Sequence, residues 1–173
     1  MIIGMSVAAF TVLHVIISLV AIVAGVIALV AMLKGRAPAG WTALFLVTTI
    51  LTSATGFMFP ATGFTPAQGV GILSLALLAV ALVAIYVRQL TGAWRWVYVV
   101  TAVPALYLNC FVLVAQSFQK LPVHNALAPT QSELPFQLAQ LAVLAAFVLA
   151  AVFAVRNFHP ERRPSVAFTA STP

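Results

Sequence analysis

The stretch that decides the fold is residues 5–33, MSVAAFTVLHVIISLVAIVAGVIALVAML, which contains no Lys, Arg, Asp or Glu. A bilayer core about 30 Å thick is crossed by about 20 apolar residues in a helix. Lipid cannot hydrogen-bond to the backbone, so such a segment satisfies its N–H and C=O groups as an α-helix. The stretch also lacks the basic start and short apolar run of a cleavable signal peptide. It therefore predicts a first transmembrane span.

Four further segments are apolar over a comparable length and predict four more spans, at residues 41–59, 67–87, 96–118 and 134–155. The chain of 173 residues is 64% hydrophobic and 6% charged, whereas a soluble domain has about 25% charged residues. So few charges could not cover the surface of a water-soluble protein. The sequence therefore predicts an all-α, polytopic transmembrane helical bundle of five spans over residues 1–156. A flexible cytoplasmic tail is predicted at residues 157–173.

The basic residues predict the orientation of this bundle. Cytoplasmic loops of membrane proteins carry an excess of Lys and Arg. Of the eight basic residues, Lys120 alone falls on one side, and the other seven fall in the first loop, the third loop and the tail. The N-terminus is therefore predicted outside and the C-terminus in the cytoplasm. The formal charge of +6 is interpreted as this topological signal, and no nucleic-acid partner is expected.

Polar side chains within the spans predict a binding pocket. Polar groups are costly in hydrocarbon, so they turn toward the interior of a bundle. By helical phase and depth, eight side chains converge on the outer half: His14, Thr52, Thr55, Asn109, Gln116, Glu133, Gln137 and Gln140. The third span carries few polar residues, which predicts that it is the span most exposed to lipid or to a partner.

Packing is the alternative interpretation of the same residues. Ser, Thr, Asn and Gln also hold membrane helices together, at about 0.6 kcal/mol each. A carboxylate such as Glu133 at the start of a span is favoured by the helix dipole without any other role. Both interpretations stay open on the sequence alone.

Catalytic chemistry is sparse in this sequence. Glu133 is the only acid before the tail, so a carboxylate pair for acid/base catalysis is missing. His14 is the only His within a predicted span, which excludes a bundle with two haem groups held by paired histidines and leaves one haem b with a different second ligand. The single cysteine, Cys110, excludes an intrachain disulfide. These observations argue against an enzyme without deciding the question.

Three strings resemble those of small, uncharacterised proteobacterial inner-membrane proteins: TSATGFMFP at residues 52–60, YLNCFVLVAQ at 107–116 and LAPTQSELPF at 127–136. The resemblance implies a multi-pass protein of the bacterial inner (cytoplasmic) membrane and brings no known activity. By architecture alone, the chain is similar to four-helix cytochrome b561-like proteins, whose paired histidines it lacks.

Three functions follow as hypotheses. The first is a non-catalytic membrane protein that serves as an accessory or assembly subunit, or that binds a lipid-soluble molecule such as a quinone in the outer pocket. The second is a redox module with one haem b or a quinone near His14. The third is a small transporter or channel, for which homo-oligomerisation would supply the path. The expected partners are the lipid bilayer and either a larger membrane complex or further copies of the chain.

Overall fold

The computed structural model describes residues 2–159, and the regular structure within them is helical. The helices are α1 (Val7–Leu33), α2 (Ala39–Gly56), α3 (Pro66–Leu82), α4 (Trp94–Lys120), α5 (Pro122–Leu127) and α6 (Leu134–Asn157). A π-helical turn, Val83–Val87, extends α3. All except the short α5 are long and apolar enough to cross a membrane. The prediction of an all-α chain with five helices of membrane-spanning length is therefore confirmed. Of the predicted tail, residues 157–173, only residues 157–159 belong to the described part of the chain.

Capping residues set where two of these helices begin. Ser6 precedes α1, and its hydroxyl accepts a hydrogen bond from the N–H of Ala9 at 3.1 Å. Thr65 and Gln68 form a reciprocal capping box at the start of α3, with Pro66 at the first helical position. Both arrangements satisfy N–H groups that have no partner inside a helix.

α4 is the central helix of the bundle. It contacts α1, α2, α3 and α6, while α1 packs mainly along α2. The prediction that the third span is the most exposed is wrong, since 22% of the α3 span is buried against 6% of the α6 span. Leu78, Ala81 and Ala84 are buried within the core, and the two alanines allow neighbouring helices to approach closely. α6 instead lies at the edge of the bundle.

The contiguous apolar core occupies one end of the bundle, where α2 and α4 begin and α1, α3 and α6 finish. We term this end the closed half and the opposite end the open half. In the open half, buried side chains such as Phe10, Thr49 and Phe118 lie outside this apolar core, and many other residues are only half-buried. The members of the core are Ala24, Ala28, Leu29, Met32, Phe45, Leu46, Leu78, Ala81, Ala84, Tyr98, Val99, Ala102, Val103, Ala105, Leu106, Ala154 and Phe158.

The end of α6 is fastened into the closed half. The Phe158 side chain is fully buried, and its ring centroid lies 5.9 Å from that of Tyr98. Arg95 donates from Nη1 to the carbonyl oxygen of Phe158 at 2.9 Å. Asn157 donates to the carbonyl oxygen of Leu33 at 3.4 Å. These contacts tie the end of α6 to both α4 and α1.

Candidate ligand-binding site

His14 joins α1 to α2 in the open half. Its Nδ1 lies 2.8 Å from the hydroxyl oxygen of Thr55. That hydroxyl also lies 2.7 Å from the carbonyl oxygen of Leu51, one helical turn earlier, to which it donates. Because a hydroxyl has a single hydrogen, Nδ1 of His14 is then the donor and its Nε2 keeps a lone pair. The imidazole therefore presents a hydrogen-bond acceptor in a membrane-length helix.

Aromatic and backbone contacts fix the orientation of this imidazole. The ring lies edge-on to Phe59, with 5.2 Å between ring centroids and 86° between planes. Phe59 in turn packs against Phe10, with centroids 5.1 Å apart. On the α2 side the ring faces Gly56, where an added Cβ would lie 3.9 Å from Cε1 of His14. The half-buried ring is thus held from two helices.

Two further cross-helix contacts use polar residues predicted for the site. Asn109 donates to the hydroxyl of Thr49 at 3.3 Å and connects α4 to α2. Gln140 donates from Nε2 to the carbonyl oxygen of Phe111 at 3.1 Å and connects α6 to α4. Among the described residues, Oε1 of Gln140 and the hydroxyl oxygen of Thr52 are buried and have no hydrogen-bond partner. The open half therefore contains buried oxygen atoms that have no hydrogen-bond partner.

The other three predicted residues make local contacts. Gln116 is exposed, and Gln137 is exposed with its amide donating to the carbonyl oxygen of Ser132 at 2.7 Å. Glu133 accepts from the N–H and the hydroxyl of Thr130 at 3.1 and 2.8 Å, and from the N–H of Ser132 at 3.1 Å. The structure therefore places Glu133 at the end of the loop before α6, with its carboxylate engaged by that loop.

These loop hydrogen bonds set the ionisation of Glu133. Desolvation acts to raise the pKa of its carboxyl, but the hydrogen bonds from Thr130 and Ser132 outweigh it and lower the pKa below its usual value. The carboxylate is therefore charged at neutral pH and organises the loop.

A second cluster in the open half was not predicted from the sequence. Phe118 is buried between His124 and Phe136, with ring centroids 5.2 and 5.4 Å away. Gln131 accepts from Gln119 at 3.2 Å and donates to the carbonyl oxygen of Ala115 at 2.6 Å. Residues from α4, α5, α6 and the loop before α6 meet here. Because they lie on different elements, the periodicity of a single helix could not have predicted the cluster. Only the density of aromatic residues near this loop gives a signal in the sequence.

The described residues offer little to a metal ion or haem. They contain no group of three or more His, Cys, Asp or Glu placed to hold a metal ion. His14 could supply one axial nitrogen to a haem, with Nδ1 fixed by Thr55, but the ring packed against it is Phe59, which has no ligand atom. The geometry thus supplies a single nitrogen ligand.

The fold defines a class only coarsely: an all-helical chain, over the described residues, with five helices long and apolar enough to cross a membrane and with its contiguous apolar core in the closed half. No protein-family model, curated protein or solved structure matches the chain. The class therefore depends on the sequence and the fold alone, and the resemblance to proteobacterial membrane proteins stays a prediction.

Proposed function

We propose that this chain is a non-catalytic integral membrane protein that binds one lipid-soluble molecule with a polar head group, such as a quinone. The single observation that supports this most is the asymmetry of the bundle. The contiguous core is confined to the closed half, while the open half holds the unpartnered buried oxygens of Thr52 and Gln140 and the half-buried imidazole of His14.

The cost of unsatisfied polar atoms argues for a ligand. A buried polar atom without a partner costs about 1–3 kcal/mol, and lipid tails offer no hydrogen bond. A ligand with hydroxyl hydrogens, such as the reduced (quinol) form of a quinone, could donate to Oε1 of Gln140 or to Nε2 of His14. The apolar part of such a molecule would remain in contact with the half-buried aliphatic side chains around them. Lateral access from the bilayer is the route that fits a site open on its lipid side.

The proposed location is the bacterial inner membrane, with the open half toward the periplasm. Among residues 2–159, the basic residues of the first and third loops and of the end of α6 lie at the closed end, whereas only Lys120 lies at the open end. The positive-inside rule then favours a cytoplasmic closed half.

The two alternatives have less support from the geometry. A transport path along the amides is not favoured, since Gln116 and Gln137 are exposed, while Asn109 and Gln140 form hydrogen bonds to α2 and α4. A proton-handling role for Glu133 is not favoured, because its oxygens are engaged by Thr130 and Ser132.

Native mass spectrometry of the gently extracted protein tests the proposal. We expect the wild type to carry one lipid-soluble molecule, and His14→Phe and Gln140→Leu to lose it. Gln137→Leu is the matched control, because it removes an exposed amide from the same helix and should keep the ligand. A wild type without ligand, or equal retention by all variants, would contradict the proposal. A Soret band in the absorption spectrum would replace it with the haem alternative.

A further inference from the structure

Two concavities follow one another along the seam between α1 and α2. The first, here termed the apolar groove, has a volume of about 240 Å³ and is lined by Leu19, Val20, Val23, Ala24, Trp41 and Leu44. The second, termed the arginine recess, has a volume of about 440 Å³ and is lined by Ala31, Arg36, Ala37 and Pro38. None of the residues proposed above to bind a ligand lines either concavity.

The length of this seam matches one leaflet of a bilayer. From Leu19 to Ala31 along α1 the helical rise is about 18 Å at 1.5 Å per residue. Half of the hydrocarbon core is about 15 Å. On α2, Trp41 in the groove follows Pro38 in the recess by less than one helical turn. The seam therefore runs from the loop between α1 and α2 to about the middle of the membrane.

The charge in the recess differs in its surroundings from Arg88 and Arg95 at the same end of the bundle. Arg88 lies over the ring of Trp94, 5.1 Å from its centroid, and Arg95 donates to the backbone of α6. The exposed Arg36 instead lines the recess. Within residues 2–159 the only acid is Glu133, which lies at the opposite end of the bundle. The planar guanidinium suits a phosphate group, to which it can donate two hydrogen bonds.

Trp41 marks the depth at which a lipid head group meets its acyl chains. Its side chain is 44% exposed and lines the apolar groove. Tryptophan is enriched at the boundary between head groups and hydrocarbon. The arginine recess lies on the loop side of Trp41, and the apolar groove extends from Trp41 toward the middle of the bundle. A phospholipid has the same order of parts, with a charged head group followed by an apolar chain.

We propose that the α1–α2 seam binds one anionic phospholipid, with its phosphate at Arg36 and one acyl chain in the apolar groove. This site shares no residue with the one proposed in the open half, so an experiment can refute either proposal without affecting the other.

Lipid retention by the full chain in nanodiscs of equal phosphatidylcholine and phosphatidylglycerol tests the proposal by native mass spectrometry. We expect preferential retention of one phosphatidylglycerol. Arg36→Gln should weaken it about fivefold, the effect of one basic residue on an anionic lipid. Val23→Phe, at a side chain 57% exposed to lipid, should weaken it by filling the groove.

Arg88→Gln is the matched control, since it removes one charge from the same end of the bundle outside the seam. It should leave retention unchanged. Equal losses in Arg36→Gln and Arg88→Gln would show a general attraction to anionic lipid and would overturn the proposal. So would unchanged retention in Arg36→Gln, or retention of the two lipids in equal amounts.

Discussion

Gly25 lies where α1, α2 and α4 meet in the closed half, and a methyl group there tests the packing directly. A Cβ at this position would lie 2.5 Å from Cδ1 of Leu106 and 2.8 Å from Cδ2 of Phe45. Both neighbours are only 1% exposed, so neither has free space to rotate into. Overpacking of a filled core costs about 1–3 kcal/mol, and we expect Gly25→Ala to lower the free energy of unfolding by that amount.

The measurement is reversible unfolding in detergent micelles, followed by helical circular dichroism, with Gly69→Ala as the control. An added Cβ at Gly69 would meet the ring of Phe64 at 3.6 Å, an ordinary contact, so this variant should be at least as stable as the wild type. Both changes put alanine into a helix, and any gain in helix propensity affects both. Equal stability of the two variants would refute the close packing of the closed half.

A second variant separates overpacking from a nonspecific effect. Leu106→Ala removes the nearest clashing atom, so Gly25→Ala and Leu106→Ala should be coupled and the double variant should lose less stability than the sum of the two. Strict additivity would show that Gly25 and Leu106 do not meet.

Two further predictions concern the loop before α6 and the topology. Because the folded pKa of Glu133 is lowered, its contribution to loop order should be present above the usual pKa of about 4.3 and be lost as the pH falls through the folded value. The protection of the Thr130 and Ser132 amides from hydrogen exchange, relative to the intrinsic rate at each pH, should therefore fall in acid in the wild type and be low at every pH in Glu133→Gln. In a Cys110→Ala background, an impermeant thiol reagent applied to intact cells should label Thr130→Cys but not Gln89→Cys. Labelling of both from outside would contradict the five-span topology.

The helices were predictable because each apolar run exceeds what a soluble chain tolerates. Their ends were less so: α2 begins at Ala39 and ends at Gly56, whereas the apolar run predicts residues 41–59. Hydropathy does not detect where a turn closes, and here the N–H of Phe57 bonds to the carbonyl oxygen of Ala54 at 3.2 Å.

For the candidate site, the sequence predicted only which face of each helix points to the interior of the bundle, and not which residues meet there. The phase of α1 correctly selects His14 as a side chain that meets another helix, but its partner Thr55 lies 41 residues away in sequence. Gln137 and Gln140 share one stripe of α6, yet Gln140 contacts α4 while Gln137 is exposed. A helix at the edge of a bundle touches its neighbour along a narrow line, and the tilt that sets this line is not encoded in periodicity.

The burial of Phe158 has a consequence for how the proposed ligand would enter and leave its site. Arg95 and Tyr98 hold this end of α6. Farther along, α6 meets α4 through the Gln140 hydrogen bond and through the ring pairs Phe136–Phe118 and Phe147–Tyr107. A pivot of α6 about its fastened end would widen the gap toward the lipid and leave the core intact. Exchange with the bilayer would then require the loss of a few side-chain contacts and no unfolding of the bundle.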